Sequence, residues 1–267
     1  MLYRRIAGQG PRNDFQNTTQ GFYIASPAGM LILYNNNRDP QKLLRLMRDS
    51  LREYDLGTFA FDRDAVQAEI DTSTQRERDT RYTLRPPENG LVVRVHAKVL
   101  DGYKTPANAS EAVFQRALSR DNLWITSKEK TALIEGLVPA TLQRRIARFH
   151  LVDNTRGEPP MWGLGEIKLL NLVLENGKFV GSVHLETDDG SRGYKADFRG
   201  SLKIVGDVIT AFELVALGDF FGEGRYTKNA PEGKFPLAVA FQMADGTDVA
   251  DAVAPQGARG WLDGYLK

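Results

Sequence analysis

Three histidines, His96, His150 and His184, are the residues best suited to hold a transition metal in this sequence. Three neutral imidazoles can bind Zn²⁺ and leave a fourth position open for water or substrate. None of the close spacings typical of such sites is present, however, and each histidine falls in a segment predicted to be a strand. We therefore predict no metal site and assign all three to ordinary strand or surface positions.

Two long connections, residues 153–166 and 218–226, carry more functional residue types than their lengths require. Two carboxylates can act as acid and base, and an arginine with a tryptophan can clamp an anionic or planar ligand. The alternative is that the aromatic residues cover an open end of the sheet and the charged residues are solvated. The candidate ligand-binding residues in these loops are Arg156, Glu158, Trp162, Glu223, Arg225 and Tyr226.

Other motifs that would identify a reaction are missing from the sequence. Asp245, Asp248 and Asp251 superficially suggest a calcium loop, but the glycine and the terminal glutamate of an EF-hand are absent, so a solvated turn is favoured. No P-loop, dinucleotide fingerprint or nucleophile elbow occurs. We therefore predict no cofactor and cannot assign a catalytic residue.

The amino-acid composition excludes several kinds of binding partner and of site chemistry. The 35 Lys+Arg residues balance the 34 Asp+Glu residues, so no net field favours a nucleic acid. The chain has no cysteine, which excludes disulfides, thiolate metal sites and cysteine nucleophiles. Neither a signal-peptide apolar run nor a membrane-spanning stretch is visible. We expect a soluble chain, cytoplasmic by default, with an unknown small molecule or protein as partner.

The first elements that could position functional groups form a predicted ββα unit. Residues 21–26 and 30–34 are typical strands on either side of a turn at Pro27-Ala28-Gly29. A helix should follow, because Asp39 can cap it, Pro40 suits its first position, and apolar residues recur at helical spacing as far as Tyr54.

Residues 20–54, with Gly-Phe-Tyr-Ile-Ala-Ser-Pro-Ala-Gly ahead of Arg-Asp-Pro-Gln-Lys-Leu, resemble the C-terminal half of a thioredoxin-like domain. The resemblance implies two strands joined by a tight turn that lead into the family's last helix. In that family the first of these strands follows a cis-proline loop, where this chain has Thr18-Thr19-Gln20. The redox pair of the family lies in the half that has no counterpart here, so the resemblance implies no redox activity.

The remainder of the chain is predicted to be a β-rich domain. Residues 62–89 are polar and charged and indicate a linker, whereas residues 91–100 alternate as a half-buried strand does. Short helices are expected over 110–119, after Thr126, where Glu129 completes a capping box, and from Pro139. We assign residues 1–60 to the ββα unit, 61–90 to the linker and 91–267 to the β domain.

Tight turns at 176–177, 189–190 and 206–207 predict the register of a four-stranded antiparallel meander. Counting outward pairs Lys195 with His184. The third turn pairs Leu202 with Ala211 and puts Glu213 on the apolar face opposite Gly200, unless a bulge at that glycine returns Glu213 to the surface. The residues predicted on the buried face are Val183, Tyr194, Ala196, Phe198 and Val215, with Lys195, Asp197 and Arg199 facing outward.

These patterns predict an α+β fold in which a small ββα unit precedes a mainly antiparallel meander that can curl into a partial barrel. Connections in a meander alternate between the two ends of the sheet, so the loops 153–166 and 218–226 should share one end. Two functions follow as hypotheses. The first is a non-catalytic binding or interaction module with its site in these loops. The second is a hydrolase or lyase that uses the acidic loop residues, with or without a metal.

Overall fold

A computed structural model describes residues 6–10, 20–27, 29–37, 39–55, 64 and 84–267. The chain divides into two compact units. We call the first, Met1–Arg78 with Asn108–Val113, the hairpin–helix unit, and the second, Asp79–Ala107 with Phe114–Lys267, the sheet unit. The predicted linker at 61–90 lies outside the described residues except for 64 and 84–90, and it stays a prediction.

The described part of the hairpin–helix unit confirms the predicted ββα order. Strands β1 (Phe22–Ala25) and β2 (Leu31–Asn35) pair antiparallel, and helix α1 (Pro40–Asp55) follows. The helix begins where predicted, because an Asp39 side-chain oxygen accepts hydrogen bonds from the amides of Gln41 and Lys42 and thereby satisfies two free donors of the first turn. The resemblance to half of a thioredoxin-like domain remains a prediction.

The sheet unit contains seven antiparallel strands in one sheet that curls into a half-barrel. Their spatial order is β4, β3, β9, β8, β7, β6, β5, so the last five strands along the chain form an uninterrupted meander. The strands are β3 (Leu91–Val99), β4 (Asp121–Ile125), β5 (Ile167–Glu175), β6 (Lys178–Glu186), β7 (Gly193–Val205), β8 (Val208–Phe221) and β9 (Lys234–Met243).

Helices bury one face of this sheet. Leu133, Leu142 and Tyr265 from the helices belong to the same buried core as Trp124 and Phe198 from the strands. Along the chain, α2 (Ala109–Gln115) comes between β3 and β4. The helices of the sheet unit are α3 (Ser127–Ile134), α4 (Ala140–Arg145), continued by a π-helical turn (Ile146–His150), and α5 (Leu262–Leu266), with 3₁₀ turns at Leu164–Glu166, Val249–Ala252 and Gln256–Ala258. The capping box predicted at the start of α3 is present.

The predicted register is confirmed across β5, β6 and most of β7. His184 lies opposite Lys195, and Ser182 lies opposite both Asn171 and Asp197. Consequently the buried face contains the predicted residues Val183, Tyr194, Ala196 and Phe198, while Lys195, Asp197 and Arg199 face outward.

The register counted from the 206–207 turn is correct for Ile204, which lies opposite Ile209 as predicted. It is wrong from Lys203 back towards the start of β7, because β8 carries one extra residue, Thr210, between the residues that pair with Ile204 and Lys203. Leu202 therefore lies opposite Phe212 instead of Ala211. The same bulge reverses the two faces for the rest of β8. Glu213 lies opposite Ser201 and is exposed, and Val215 is 38% exposed instead of buried.

One histidine also differs from its predicted setting, since His150 ends a π-helical turn and not a strand. His96 and His184 lie in β3 and β6 as predicted. Among the described residues, no helix has both the length and the apolar character that crossing a bilayer requires.

Candidate functional site

The loop 153–166 meets the connection that follows β8 at one end of the sheet, as the alternation of connections predicted. The second loop is shorter than the predicted 218–226, because residues 218–221 belong to β8. The Arg156 guanidinium donates a 2.7 Å hydrogen bond to the Thr227 carbonyl. Gly157 lies so close to the Tyr226 carbonyl that a Cβ there would be 2.1 Å from its oxygen, and Gly224 packs as closely against Pro160. Glycine is needed at both positions, because a side chain at 157 would clash with the Tyr226 backbone and one at 224 with the Pro160 ring.

The buried Arg156 side chain stabilises the contact between these two loops. Its Nε and Nη2 atoms donate to Asp153 Oδ2, and Thr155 Oγ1 donates to Asp153 Oδ1 at 2.6 Å. Both members of the ion pair are buried. Glu223 Oε1 lies 3.9 Å from Arg156 Nη1. The guanidinium is thus committed to the fold, and the buried pair connects the two loops.

Trp162 is also buried, and its partner is a cation that the sequence prediction missed. The indole Nε1 donates to the Leu151 carbonyl at 2.7 Å, and the Arg192 guanidinium lies 3.8 Å above the ring centre. Arg192 donates a hydrogen bond to the Pro160 carbonyl. Burial lowers the pKa of Arg192 overall, although the charges of Glu166 and Asp189 act to raise it. The burial of Arg192 could have been predicted from strand alternation, because this residue precedes the buried Tyr194 by two residues and so points to the same face.

The other predicted loop residues lie on the surface. Glu158 is exposed, and the exposed Arg225 guanidinium lies 5.3 Å from the centre of the Tyr226 ring. Burial alone would raise the pKa of Glu223, but the amide of Ala230 at 2.8 Å and the ammonium of Lys228 at 3.4 Å lower it overall. The structure therefore brings together Arg156 with Glu223 and Arg225 with Tyr226, whereas Glu158 joins neither pair.

A chain of acid and base groups lies inside the sheet unit. His150 Nε2 is 2.7 Å from the Tyr265 hydroxyl, and His150 Nδ1 is 3.3 Å from Asp121 Oδ2. Burial raises the pKa of Tyr265, and the charge of Asp121 raises it further. Both rings are almost completely buried, and His150 Nδ1 makes no hydrogen bond to any described residue, so the hydrogen-bonded pair is His150 with Tyr265 and the Asp121 carboxylate lies next to it. In the part of the chain that the structure describes, no group of three acidic or histidine side chains is arranged to hold a metal.

The hairpin–helix unit presents an open apolar groove between its two strands and α1. The groove has a volume of 510 Å³. Met47 and Leu51, on the helix side, are 48% and 60% exposed. The lining consists of Ile24, Ala25, Pro27 and Ile32 from the hairpin and Met47, Arg48, Ser50, Leu51 and Tyr54 from α1.

A ridge of arginines runs beside this groove. Arg45, Arg48 and Arg52 line a second depression of 350 Å³ on α1, and Arg48 borders both depressions. Asp49 is the single carboxylate that lines it, 3.7 Å from Arg52. The helix thus carries an apolar stripe and a cationic stripe side by side.

Comparisons with models of known families, with curated proteins and with solved structures found no match to this chain.

Proposed function

We propose that this protein is a non-catalytic binding module whose hairpin–helix unit docks an amphipathic helix with acidic residues from a partner protein. The observation that carries the proposal is the apolar groove beside α1. No apolar side chain of β1, β2 or α1 is buried, although all three elements have the apolar periodicity of core elements. Exposed apolar surface of this kind is typical of interaction sites.

The spacing of the exposed side chains favours a helical occupant. Leu44, Met47 and Leu51 lie at i, i+3 and i+7, which places them in one row along α1. A partner helix laid into the groove would present its own apolar row to these residues and to the hairpin. This is the helix-in-groove mode of recognition, in which anchors at i, i+3, i+4 and i+7 enter a hydrophobic groove.

The charge beside the groove favours an acidic occupant. Three arginines against one aspartate leave the ridge cationic. Carboxylates flanking the apolar row of a docked helix would lie next to these guanidinium groups, which bind carboxylates well. The apolar row supplies affinity in this arrangement, and the arginine ridge selects the charge of the partner.

The loop end of the sheet is a poorer candidate for a binding site, because its main candidate side chains are bonded within the fold. Arg156 and Trp162, the two residues there that could clamp a ligand, are committed to the Thr227 carbonyl, the Leu151 carbonyl and the Arg192 guanidinium. The acidic residues give little support to the alternative of a hydrolase or lyase, since Glu158 is solvated and Glu223 is bound to Lys228 and Ala230.

The test uses a synthetic amphipathic helix with one leucine row flanked by glutamates, and a second peptide with lysines in place of the glutamates. Fluorescence anisotropy with the full chain should show about tenfold tighter binding of the acidic peptide, because the three arginines attract the glutamates of one peptide and repel the lysines of the other, each by a few tenths of a kcal/mol. Leu51→Asp should abolish that binding. Leu164→Asp is the matched control, since Leu164 in the sheet unit is 59% exposed.

Two outcomes would overturn the proposal. Equal binding of both peptides, or undiminished binding by Leu51→Asp, would show that the groove is not the site. A basic amphipathic helix can also lie on anionic lipid. A third outcome would also overturn it. If the protein cosediments with phosphatidylglycerol vesicles, Leu51→Asp abolishes this cosedimentation and neither peptide binds, then the groove binds a membrane surface and not a partner protein.

A further inference from the structure

A second open pocket lies in the sheet unit, and it does not depend on the proposed docking groove. Its volume is 580 Å³, within the range of small-molecule sites. Leu84 and Ala254 line it and pack against the buried core. Val249 and Val253 complete its apolar wall and are 92% and 51% exposed.

The wall that carries these valines is held rigidly by ion pairs. Asp251 accepts hydrogen bonds from Arg94 at 2.9 Å and from Arg120 at 2.7 Å, and Asp248 pairs with Arg120 at 2.9 Å. The network joins the segment to strand β3 and to the residue before β4. It uses the carboxylates that the sequence superficially suggested as calcium ligands.

The side-chain amide of the buried Asn122 also holds this wall in place. Asn122 Nδ2 donates to the carbonyls of Ala250 at 2.7 Å and Val253 at 2.9 Å. Val249 is therefore exposed on a turn whose backbone is tied on both sides. A rigid apolar wall loses little conformational entropy when a ligand binds to it.

The charged groups of this pocket are all positive. Among the described residues, Arg85 and Arg259 line it and no carboxylate does. The nearby Asp248 and Asp251 are already paired with guanidinium groups. Ala258, which is completely buried, anchors the backbone next to Arg259, and the Arg85 guanidinium donates to the Leu84 carbonyl at 3.0 Å.

We infer that this pocket binds a small amphipathic anion, of the class of a medium-chain carboxylate. The acyl chain would lie against Val249, Val253 and Leu84, and the carboxylate would be held by Arg85 and Arg259. Guanidinium groups bind carboxylates through paired hydrogen bonds, and an acyl chain against the exposed valines would remove their apolar surface from water.

The experiment compares decanoate, decanol and acetate by calorimetry with the full chain. Decanoate should bind, and decanol and acetate should bind at least about tenfold more weakly, because each lacks one of the two recognised parts. The double variant Arg85→Gln/Arg259→Gln should lose the preference for decanoate over decanol. Arg144→Gln, which changes an exposed arginine on α4, is the control and should keep it.

Leu51→Asp separates this site from the groove in the other unit, and decanoate binding should survive that change. Three results would overturn the inference: equal affinity for decanoate and decanol, full binding by the double arginine variant, or loss of decanoate binding in Leu51→Asp. Val249→Asp gives an independent check, because a carboxylate on the wall should repel decanoate and weaken its binding at least about tenfold.

Discussion

The sheet unit and the hairpin–helix unit use the same apolar residue types but bury them very differently. Trp124 and Phe198 in the sheet unit are completely buried, whereas Met47 and Leu51 on α1 are about half exposed. The sheet has helices packed on one face, so its apolar side chains have a second layer to meet. The described elements β1, β2 and α1, two short strands and one helix, offer too little surface to enclose a core among themselves. Apolar periodicity therefore predicts an element but not its burial.

The strongest test of this contrast is Phe198→Ala, at the centre of β7. Removing a completely buried aromatic ring should lower the free energy of unfolding by about 3–5 kcal/mol. Urea unfolding followed by tryptophan fluorescence suits this test, because Trp124, Trp162 and Trp261 all lie in the sheet unit. Asp197→Ala, one residue away on the outward face, should change stability by less than about 0.5 kcal/mol. Similar losses for both variants would contradict the assignment of faces.

A buried ion pair in the sheet unit should give the next largest effect. Arg145 contacts Glu129 through two hydrogen bonds, at 2.7 and 3.0 Å, and both side chains are buried. Arg145→Gln leaves the carboxylate without its partner and should cost about 3 kcal/mol at pH 7. Chemical unfolding at pH 7 measures the loss, and Arg144→Gln on the exposed side of α4 is the control.

The same pair gives a pH dependence with a defined sign. Burial alone would raise the pKa of Glu129, but Arg145 and the hydrogen bonds from Thr126 and Thr141 lower it overall. The pair therefore stabilises the native state above the unfolded-state pKa of about 4.3, and this contribution is lost as pH falls through the lower folded pKa. In Arg145→Gln only the hydrogen bonds from Thr126 and Thr141 still oppose the effect of burial, so the pKa of Glu129 should be higher than in the wild type. The difference in stability between wild type and variant should thus shrink on acidification.

The register of the meander shows how far turn chemistry can predict a fold. Asn176-Gly177 selects a tight turn through its own backbone preferences, and every pair counted from it is correct. The bulge at Thr210 has no such signature, because a β-branched residue is typical of regular strand. The bulge was predicted at Gly200 because a glycine within a strand often marks a bulge. The structure gives this glycine another role, since a Cβ there would lie 2.2 Å from the Glu213 carbonyl oxygen. That glycine permits close approach of two strands that pair regularly.

The loop residues show a second limit of sequence reasoning. Their meeting at one end of the sheet could be predicted, because it follows from the alternation of connections alone. Whether Arg156 and Trp162 face solvent or the core could not, since burial depends on how the Asp153 turn and Arg192 pack around them. The exposure of the apolar stripe on α1 could not be predicted either, because the spacing of its residues is that of a core-facing helix.

A deletion tests the bulge with an intermediate effect. Removing Thr210 should leave Lys203 opposite Ala211 and Leu202 opposite Phe212, because the extra residue alone is lost. The expected cost is about 1 kcal/mol, measured by the same fluorescence transition. Deleting Val215 is the contrasting change. It puts Phe212 and Leu214 out of phase with Ala216 and should prevent cooperative folding. A collapse of the fold on removal of Thr210 would show that the bulge itself is required.

The smallest effect is expected on α1. Leu51→Ser removes an apolar side chain that is already 60% exposed, so little buried area is lost and the stability of the helix should change by less than about 0.5 kcal/mol. Amide hydrogen exchange of residues 43–54 measures this locally. Leu172→Ser in β5 is the matched control, because that leucine is buried and its replacement should cost several times as much. A comparable loss of protection on α1 would mean that the stripe is covered within this chain, and the docking groove would lose its physical basis.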